Sequence, residues 1–560
     1  MAANPLSTST PILIIGAGPV GLSLAIELRL HSIPVTVLDC TPTIDDGHPK
    51  GRANDMRTVE HYRRWGISDE IRELAWKTAN PRQELVITQS LLEEPIGNFL
   101  LRLGRDPLES KNLAAEPSFS VPQPVLMRVL ERKAREIGAL VFRGWEAADV
   151  VEDGAQVVTT VRAPDGASQT ITSSYVIGAD GPVSLVRRKA GIEQGGTGPL
   201  GRTWTYVVRS EGHPISNLIS GEKYSALGML MVANAEANSI LSIPGDDEWG
   251  FGILRTGTDQ SKLEEPSDDE VKIYARNLLG TSANIEILSR SSYASMTRLS
   301  NQYRRGRLFI AGDACHICPP TGGHNMNTGI EDAVNLAWKL AAVLSGWGGE
   351  DLLESYEAER RPVGGRVSGV AMANSLAMQE ADTFLNADGK DDVEVSGAEK
   401  AQAIYDRTYT QWNSYGVVLD QRYDSSPVII QDSWNDAPAW NPSEYWPHAR
   451  PGHRAPHLWL DDGRALRDAF GKWFTLLAIG ARGDVVEKFV AAANRSHFPV
   501  EVLEVGVEIA REKYPASLTL VRPDGYVAWQ GEADECNPVD VIRRVSGHDP
   551  AGPRLRDPKL

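Results

Sequence analysis

The sequence predicts an α/β fold with several domains, and three patterns in the chain indicate it. Residues 11–28 read as an apolar strand, a glycine turn and an amphipathic helix, and residues 306–341 repeat that order around a Gly/Pro-rich turn. Between them, apolar and polar residues alternate in short runs over 203–254, which is typical of an antiparallel sheet. A chain of 560 residues is also too long for a single core. We therefore expect a parallel-sheet domain that is interrupted by an inserted antiparallel sheet.

The first turn carries the dinucleotide-binding fingerprint in its full context. Gly16 allows the tight turn, Gly18 allows a pyrophosphate to approach, and Gly21 allows the helix to pack on the strand. The next strand, residues 34–38, is followed by an acidic residue at the spacing expected for a contact with a ribose hydroxyl. This spacing predicts a Rossmann-like domain that binds a dinucleotide. The residues predicted to contact its adenosine and pyrophosphate half are Gly16, Gly18, Pro19, Val20, Gly21 and Asp39.

Two later turns also follow apolar strands. The strand at 175–179 leads to Asp180 and a short helix, while the strand at 309–311 leads to Asp313 and to a helix predicted from about Thr328. Prolines and glycines within 319–323 remove side-chain bulk, so the backbone can approach a planar ligand closely. The N-terminus of the helix adds unpaired N–H groups and a positive dipole end, which suits the negative edge of a reduced flavin.

In this order, the fingerprint, the Asp-Gly turn and the Gly-Asp turn resemble the flavoprotein aromatic hydroxylases. These are single-component FAD-dependent monooxygenases, and the resemblance is to their phenol hydroxylase and polyketide hydroxylase branch. Residues 49–66 resemble the family segment with an Arg-Thr-x-Glu helix start, and Gln123 resembles the glutamine that begins the next flavin-side helix. Residues 452–460 and 514–529 resemble the C-terminal thioredoxin-like domain of the phenol hydroxylase branch. The likeness covers residues 10–530, nearly the whole chain.

The resemblance implies a division of the chain into three domains and a connection. The fold expected is α/β, with a Rossmann-like FAD-binding domain, an inserted antiparallel-sheet substrate domain and a C-terminal thioredoxin-like domain. The expected bounds are 8–200 and 295–375 for the FAD-binding domain, with 86–119 contributing to the substrate side, 201–294 for the substrate domain, 376–424 for the connection and 425–560 for the C-terminal domain.

The resemblance also implies a reaction. NAD(P)H would reduce FAD, O2 would add to the flavin as a C4a-hydroperoxide, and one oxygen atom would pass to a phenolic or other electron-rich aromatic substrate. Baeyer–Villiger or epoxidising chemistry stays open, because a fold alone does not choose among reactions. An oxygen-independent FAD dehydrogenase or a sequestering flavoprotein is the alternative from another class. The family further implies a homodimer.

Site residues are carried over position by position. Asp313 would accept a hydrogen bond from a ribityl hydroxyl of FAD, and the family usually has a glycine at the position of Asn325, so this side chain needs a place of its own. Arg52 occupies the position of the substrate-side aspartate of phenol hydroxylase, so no catalytic base is predicted. The implied FAD contacts outside the first turn are Arg57, Gln123, Asp180, Arg187, Gly312, Asp313, Pro320, Gly323, Asn325, Met326 and Asn327. The candidates for the substrate pocket are Tyr206, Tyr224, Trp249 and His324.

Composition narrows the function classes. The net charge of −17 disfavours nucleic acid and anionic membranes as partners. No run of apolar residues is long enough to span a membrane, the N-terminus lacks a signal-peptide profile, and four cysteines do not form a disulfide framework, so we expect a cytosolic protein. The CxxC of Cys315 and Cys318 is interpreted as apolar packing with no metal, and the second GxGxxG, residues 196–201, as a loop because no strand precedes it and no helix follows.

Overall fold

The first part of the chain alternates strands with helices, as an α/β fold requires. The computed structural model describes residues 6–75, 84–102, 110–212, 227–233, 238–241, 248–386, 396–432, 437–532 and 537–548. The strands before residue 200 are β1 Ser9–Ile15, β2 Val35–Asp39, β3 Ala53–Asn54, β4 Glu84–Thr88, β5 Gly97–Leu100, β6 Phe119–Ser120, β7 Leu140–Arg143, β8 Glu146–Asp153, β9 Gln156–Arg162, β10 Ser168–Gly178 and β11 Gln194–Gly195. The helices there are α1 Pro19–Leu30, α2 Met56–Arg64, α3 Ser68–Leu74, α4 Gln123–Glu136 and α5 Leu185–Lys189.

The rest of the chain holds two long helices between groups of strands. Its strands are β12 Gly201–Glu211, β13 Leu227–Ala233, β14 Asn238–Leu241, β15 Glu248–Thr256, β16 Asn284–Ala294, β17 Arg298–Ser300, β18 Arg304–Arg305, β19 Leu308–Ile310, β20 His316–Ile317, β21 Phe474–Ala478, β22 Val500–Glu504, β23 Leu518–Val521 and β24 Val527–Gly531. Its helices are α6 Asp268–Leu279, α7 Asn325–Leu344, α8 Glu350–Asn386, α9 Gly397–Arg407, α10 Tyr409–Trp412, α11 Tyr415–Leu419, α12 Gly483–Arg495, α13 Val507–Ala510 and α14 Pro538–Val545. None of these helices of the described chain is long and apolar enough to cross a membrane.

A parallel sheet in the order β19-β10-β1-β2-β7 forms the centre of the nucleotide-binding part. Ile12 of β1 lies beside Tyr175 of β10 and Val35 of β2, so strands distant in the chain are hydrogen-bonded neighbours. The inner strands are apolar and buried toward their carboxyl ends, at Ile12–Ile15 of β1 and Tyr175–Gly178 of β10. The ends of β1 and β10 therefore bring the first two predicted turns to the same edge, and β19 brings the third beside them.

The region between the second and third turns differs from the single antiparallel sheet that alternation predicts. One antiparallel sheet has the order β15-β12-β16, but β13 and β14 join β4 and β5 in a separate sheet, where β13 and β4 are parallel. Residues 84–100 thus pair with a segment more than a hundred positions later. A strand's alternation shows that one of its faces is buried, but it does not identify its partner, so this pairing was not predicted.

The C-terminal part contains a four-stranded sheet in the order β22-β21-β23-β24, with β21 and β22 parallel. The helix α12 follows β21, and β23 and β24 form a hairpin around residues 523–525. The sheet order and the helices α12 and α14 are the observed features on which a thioredoxin-like description would rest.

The β23–β24 hairpin is joined to α7 and α8 through buried ions. Arg522 donates to both carboxylate oxygens of Glu359, at 2.6 and 2.8 Å, and its side chain is completely buried. Lys339 of α7 donates to the same carboxylate at 2.6 Å, and Asp524 accepts from Trp338. Removing one member of such a group leaves a buried charge without compensation. The helix that begins at the third turn is therefore held at its middle by the C-terminal part.

Candidate active site

The first turn is tight on two sides and open on the third. Gly16 has φ +109°, and a Cβ atom there would lie 2.1 Å from the carbonyl oxygen of Ala179, so only glycine fits. A Cβ at Gly21 would lie 1.9 Å from the Gly16 oxygen, which explains the close packing of α1 on the turn. A Cβ at Gly18 would meet no protein atom within 4 Å. The open side of Gly18, at the N-terminus of α1, is where a phosphate group can approach.

Asp39 holds this turn from the end of β2. Its Oδ2 accepts from the amide of Ala17 at 2.7 Å, and its Oδ1 accepts from the amide of Thr41 at 2.8 Å. Arg143, which is paired with Asp39 in the sheet, donates to the Ala17 carbonyl at 3.1 Å. Sequence reasoning missed Arg143, although its position at the end of a parallel strand is a signal that could have found it. A predicted ribose contact of Asp39 would therefore act from a side chain that also fixes the turn.

The second turn lies against the first. The Ala179 amide donates to the carbonyl of Ile15 at 2.8 Å. Asp180 Oδ2 accepts from the amides of Leu185 and Val186, at 2.7 and 3.2 Å, and so caps α5. Its Oδ1 is buried with no hydrogen-bond partner among the described residues, and burial raises the pKa of this carboxyl. An unpaired buried acceptor is costly, so this oxygen is suited to a ligand that donates.

The third turn joins both of the others. The Ala311 amide donates to the Gly178 carbonyl at 2.9 Å, and Arg187 reaches the Ala314 carbonyl at 3.4 Å. Val20 of α1 packs on Gly312, where an added Cβ would lie 2.9 Å from its Cγ2. The three predicted turns are thus brought together at one edge of the parallel sheet.

The N-terminus of α7 begins at Asn325, three residues before the predicted start near Thr328. The apolar pattern missed this turn of helix because its side chains are polar and bond locally. Asn327 Nδ2 donates to the carbonyls of Ala53 and Gly323, at 3.0 and 2.8 Å, which fixes residues 53–55 beside the glycine turn. Pro320 is exposed, while Gly323 and Met326 are partly exposed on the same stretch. This stretch offers backbone and a helix N-terminus to a flat ligand.

Asp313 and Asn325 form a pair within the third turn. Asn325 Nδ2 donates to Asp313 Oδ1 at 2.8 Å, and Asn325 Oδ1 lies 3.1 Å from Nδ1 of His316. Burial raises the pKa of Asp313 from its ordinary value. Cys318 directs its Sγ to Asn325 Oδ1 at 3.4 Å, and burial raises its pKa to about 12, as expected of a packing cysteine. The side chain that replaces the family's usual glycine is therefore part of a hydrogen-bond network.

Arg57, predicted to contact FAD, is surrounded by protein groups. The residue is 2% exposed, and its guanidinium lies 3.2 Å from Glu331 and donates to the carbonyl of Asp524 in the β23–β24 hairpin. These partners place Arg57 at the junction of α2, α7 and the C-terminal part. The Arg-Thr segment alone could not reveal this, because two of the partners lie hundreds of residues away. Gln123 begins α4 and is partly exposed beside residue 51.

The pocket candidates are corrected in part. Tyr206 and Trp249, 1% and 0% exposed, belong to the core between the β15-β12-β16 sheet and α6, so they do not line an open pocket. Their strands alternate, and sequence does not tell which face is covered by a helix. His324 is buried, its Nε2 has no partner in the described part of the chain, and burial lowers its pKa to about 4. It lines a cavity of about 20 Å³ with Arg57 and Glu331. Tyr224 lies outside the described residues.

The other face of the same sheet carries small and polar residues that sequence reasoning missed. Thr205, Ser289 and Tyr293 lie there, and each is partly exposed. His48, from the connection after β2, has Nε2 at 3.1 Å from Thr205 Oγ1 and Nδ1 at 3.0 Å from Ser289 Oγ. Desolvation lowers the pKa of His48. The chain from His48 leads within five residues to Ala53, which contacts the Gly323 turn.

Together these features fit FAD. Gly18 is open for a pyrophosphate, Asp180 offers an unpaired acceptor, and Asp313, Gly323 and Met326 are partly exposed in the third turn and at the start of α7. The second GxGxxG is a loop that leads into β12, and Cys315 and Cys318 are buried, as predicted.

Comparisons with known proteins agree with this reading of the site. Residues 9–370 match the FAD binding domain family, and residues 448–548 match the family described as aromatic-ring hydroxylase, C-terminal. The chain is 31% identical to the FAD-dependent monooxygenase apdD of Emericella nidulans, over 98% of this chain and 92% of that protein. It is 30% identical to 4-methyl-5-nitrocatechol 5-monooxygenase of Burkholderia sp., over 97% and 98%.

A solved structure shows the same architecture over nearly the entire chain. Aklavinone-11 hydroxylase in a ternary complex with FAD and aklavinone superposes with a TM-score of 0.80 at 25% identity, covering 96% of this chain and 98% of that one. The expected resemblance is thereby confirmed. With three turns that converge at a sheet edge open at Gly18, and a family match over more than half of its length, this chain belongs to the FAD-dependent aromatic hydroxylases, which are flavoprotein monooxygenases.

Proposed function

We propose that the protein uses FAD, NAD(P)H and O2 to hydroxylate a phenolic or other electron-rich aromatic substrate. The convergence of the three turns around the open side of Gly18 is the observation that carries this proposal. The two family matches and the names of the relatives support an aromatic substrate. FAD, when bound and reduced, supplies the activated oxygen, and the protein supplies binding, orientation and exclusion of water.

Each turn has a task in holding the cofactor. The N–H groups of Gly18 and Val20 at the start of α1 would bind the pyrophosphate, and Asp39 would bind the ribose. Asp180 and Arg187 would complete this half. Asp313 would accept from the ribityl chain, while Gly312, Pro320, Gly323, Asn325, Met326 and Asn327 would lie along the ring system. The positive end of α7 would stabilise negative charge on the reduced ring.

We place the substrate between the third turn and the polar face of the β15-β12-β16 sheet. His48 and Ala53 are five positions apart, so their Cα atoms lie within about 18 Å of each other, and Ala53 contacts the Gly323 turn. Thr205 donates to the carbonyl of Ser291 at 3.4 Å, so Nε2–H of neutral His48 donates to Thr205. Nδ1 then accepts from Ser289 Oγ. A phenol that donates to Ser289 would therefore find its hydrogen bond continued to Nδ1 of His48, which orients the ring for attack.

Oxygen uptake tests the reaction. FAD-loaded protein is supplied with NADH or NADPH, with and without a panel of phenols and polycyclic aromatic compounds. We expect one or more compounds to stimulate O2 uptake and to gain one oxygen atom, measured by mass spectrometry. A product with an oxygen inserted into a ring or across an alkene would replace hydroxylation by Baeyer–Villiger or epoxidising chemistry. Substrate turnover that continues without O2 would contradict the proposal.

A pair of serine variants tests where the substrate lies. Ser289→Ala removes the hydroxyl between His48 and the proposed substrate, so KM should rise and peroxide release should increase while FAD stays bound. Ser292→Ala is the matched control, since Ser292 lies three residues on, on the opposite face of β16 from Ser289, where it is exposed and accepts from Arg202. If the two variants behave alike, the substrate does not bind at this face. The proposed homodimer is tested separately by light scattering, where a monomer would contradict it.

A further inference from the structure

A continuous hydrogen-bond chain leads from the third turn into the core. Asp313 Oδ1 accepts from Asn325, Asn325 Oδ1 faces His316 Nδ1, and His316 Nε2 lies 2.9 Å from Asp332 Oδ2. Asp332 also accepts from the Gly312 amide at 3.1 Å, and its Oδ1 accepts from Arg360 at 2.8 Å. Except for Asp313 and Asn325, which are partly exposed, these residues are buried.

The partners determine where the protons lie. Asp313 accepts only, so the amide nitrogen of Asn325 must face it and the amide oxygen must face His316. That oxygen also accepts only, so Nδ1 of His316 must carry a proton. Nε2 faces the carboxylate of Asp332 and must carry one as well. His316 is therefore an imidazolium in this arrangement. Its carboxylate partner Asp332 is also paired with Arg360.

The link depends on the side chain of Asn325. A glycine is usual at the position of Asn325 in the resembled family, and a glycine would leave Asp313 without this donor. Among the residues that the structure describes, Asn325 is the side chain that donates to Asp313. Without the proton on Nδ1, the lone pairs of His316 and Asn325 would face each other, and the amide would rotate its oxygen toward Asp313.

We propose that His316 is a positioning residue for the cofactor site: through Asn325 it holds Asp313 in one orientation with one oxygen free to accept from FAD. The inference rests on the proposed function, because it assumes that Asp313 binds the ribityl chain. It makes the affinity for FAD depend on the protonation of a histidine that would not itself touch the cofactor.

The charged and titratable groups around His316 include Asp313, whose pKa is raised by burial. Asp332 on α7 raises the pKa of His316 above its ordinary value, while Arg360 on α8 stays charged. Cys318 has its pKa raised to about 12, and burial also raises the pKa values of Cys315 and Tyr303. Because the folded pKa of His316 is raised, its stabilising contact is present at pH 6.5 and is lost as pH rises through that pKa.

The test measures FAD affinity against pH with the complete chain, by quenching of flavin fluorescence on addition of apoprotein. We expect the wild-type Kd to increase about tenfold as pH rises from 6.5 through the pKa of His316, since a hydrogen bond to a charged group is lost. Asn325→Gly should bind about tenfold more weakly at pH 6.5 and show a flat profile. A thermal unfolding curve for each apoprotein separates loss of affinity from loss of fold.

Two further variants test the roles of Asn325 and Asp313 separately. Asn325→Asp keeps the acceptor toward His316 but places a second carboxylate beside Asp313, so it should bind FAD more weakly than Asn325→Gly. Asp313→Asn should remove the pH dependence even if its affinity is low. A folded Asn325→Gly variant with the wild-type pH profile would overturn the role of His316 while the proposed function stands. A wild-type chain that binds no FAD at any pH would overturn both.

Discussion

Replacing Gly18 by alanine isolates the pyrophosphate contact from the stability of the turn. Gly18 has φ −76° and ψ −177°, which alanine adopts without strain, and the new Cβ would meet no protein atom within 4 Å. The apoprotein should therefore fold normally. Its free energy of unfolding should even rise, by about 0.4–1 kcal/mol, because alanine restricts the unfolded chain more than glycine does.

The loss of FAD affinity follows from the same geometry. If the pyrophosphate occupies the open side of Gly18, the methyl group must enter that space, and forcing an extra carbon into a filled site costs about 1–3 kcal/mol. With about 1.4 kcal/mol for each factor of ten, the Kd for FAD should increase by roughly 5- to 150-fold. Stability and affinity thus change in opposite directions, which a general disturbance of the fold would not produce.

Two measurements on each variant check this. Thermal unfolding of the apoprotein reports stability, and quenching of flavin fluorescence reports the Kd. Gly483→Ala is the matched control, because a Cβ there also meets nothing within 4 Å but lies at the start of α12 in the C-terminal part. A Gly18→Ala protein that binds FAD as tightly as the wild type and the control would refute our placement of the pyrophosphate.

Three further outcomes follow from buried groups. Arg522→Met leaves the Glu359 carboxylate without its bidentate partner, so the free energy of unfolding, measured by urea denaturation, should fall by about 3–5 kcal/mol. An unchanged curve would show that the buried ions do not hold the C-terminal part. Tyr206→Phe removes a buried hydroxyl with no partner in the described chain, so thermal stability and KM should be unchanged or improved. A rise in KM would show that Tyr206 lines the substrate pocket. Iodoacetamide at pH 7.5 should label the exposed Cys40 but neither Cys315 nor Cys318, read by peptide mass spectrometry; labelling of the pair in folded protein would contradict their burial.

Local constraints made the three turns predictable from the chain. Gly16 and Gly21 have no space for a side chain, and the strands beside them are buried on both faces, so the spacing of glycines and the hydropathy of the strands are enough to identify the turn. The predictions were weaker where polar side chains begin an element. The first turn of α7 holds Asn325 and Asn327, which bond to the backbone and to neighbouring side chains, and an apolar pattern does not detect such residues.

Contacts between distant segments could not be predicted. Arg57 is bound by Glu331 and by the hairpin at Asp524, and both partners are separated from it by long stretches of chain. The two faces of β12 look alike in sequence, because Tyr206 and Thr205 both suit a strand. Only the position of α6 decides that Tyr206 is packed and Thr205 faces His48. Arg143 was missed for the same reason, since its partner Ala17 is brought to it by the sheet.

Titration of the purified apoprotein with FAD tests the central claim most directly. If three turns form one cradle, calorimetry or gel filtration should give one FAD bound per chain, with the flavin fluorescence quenched, and Gly18→Ala should weaken that binding. A chain that stays colourless with excess FAD, while its thermal unfolding shows a folded protein, would contradict the account.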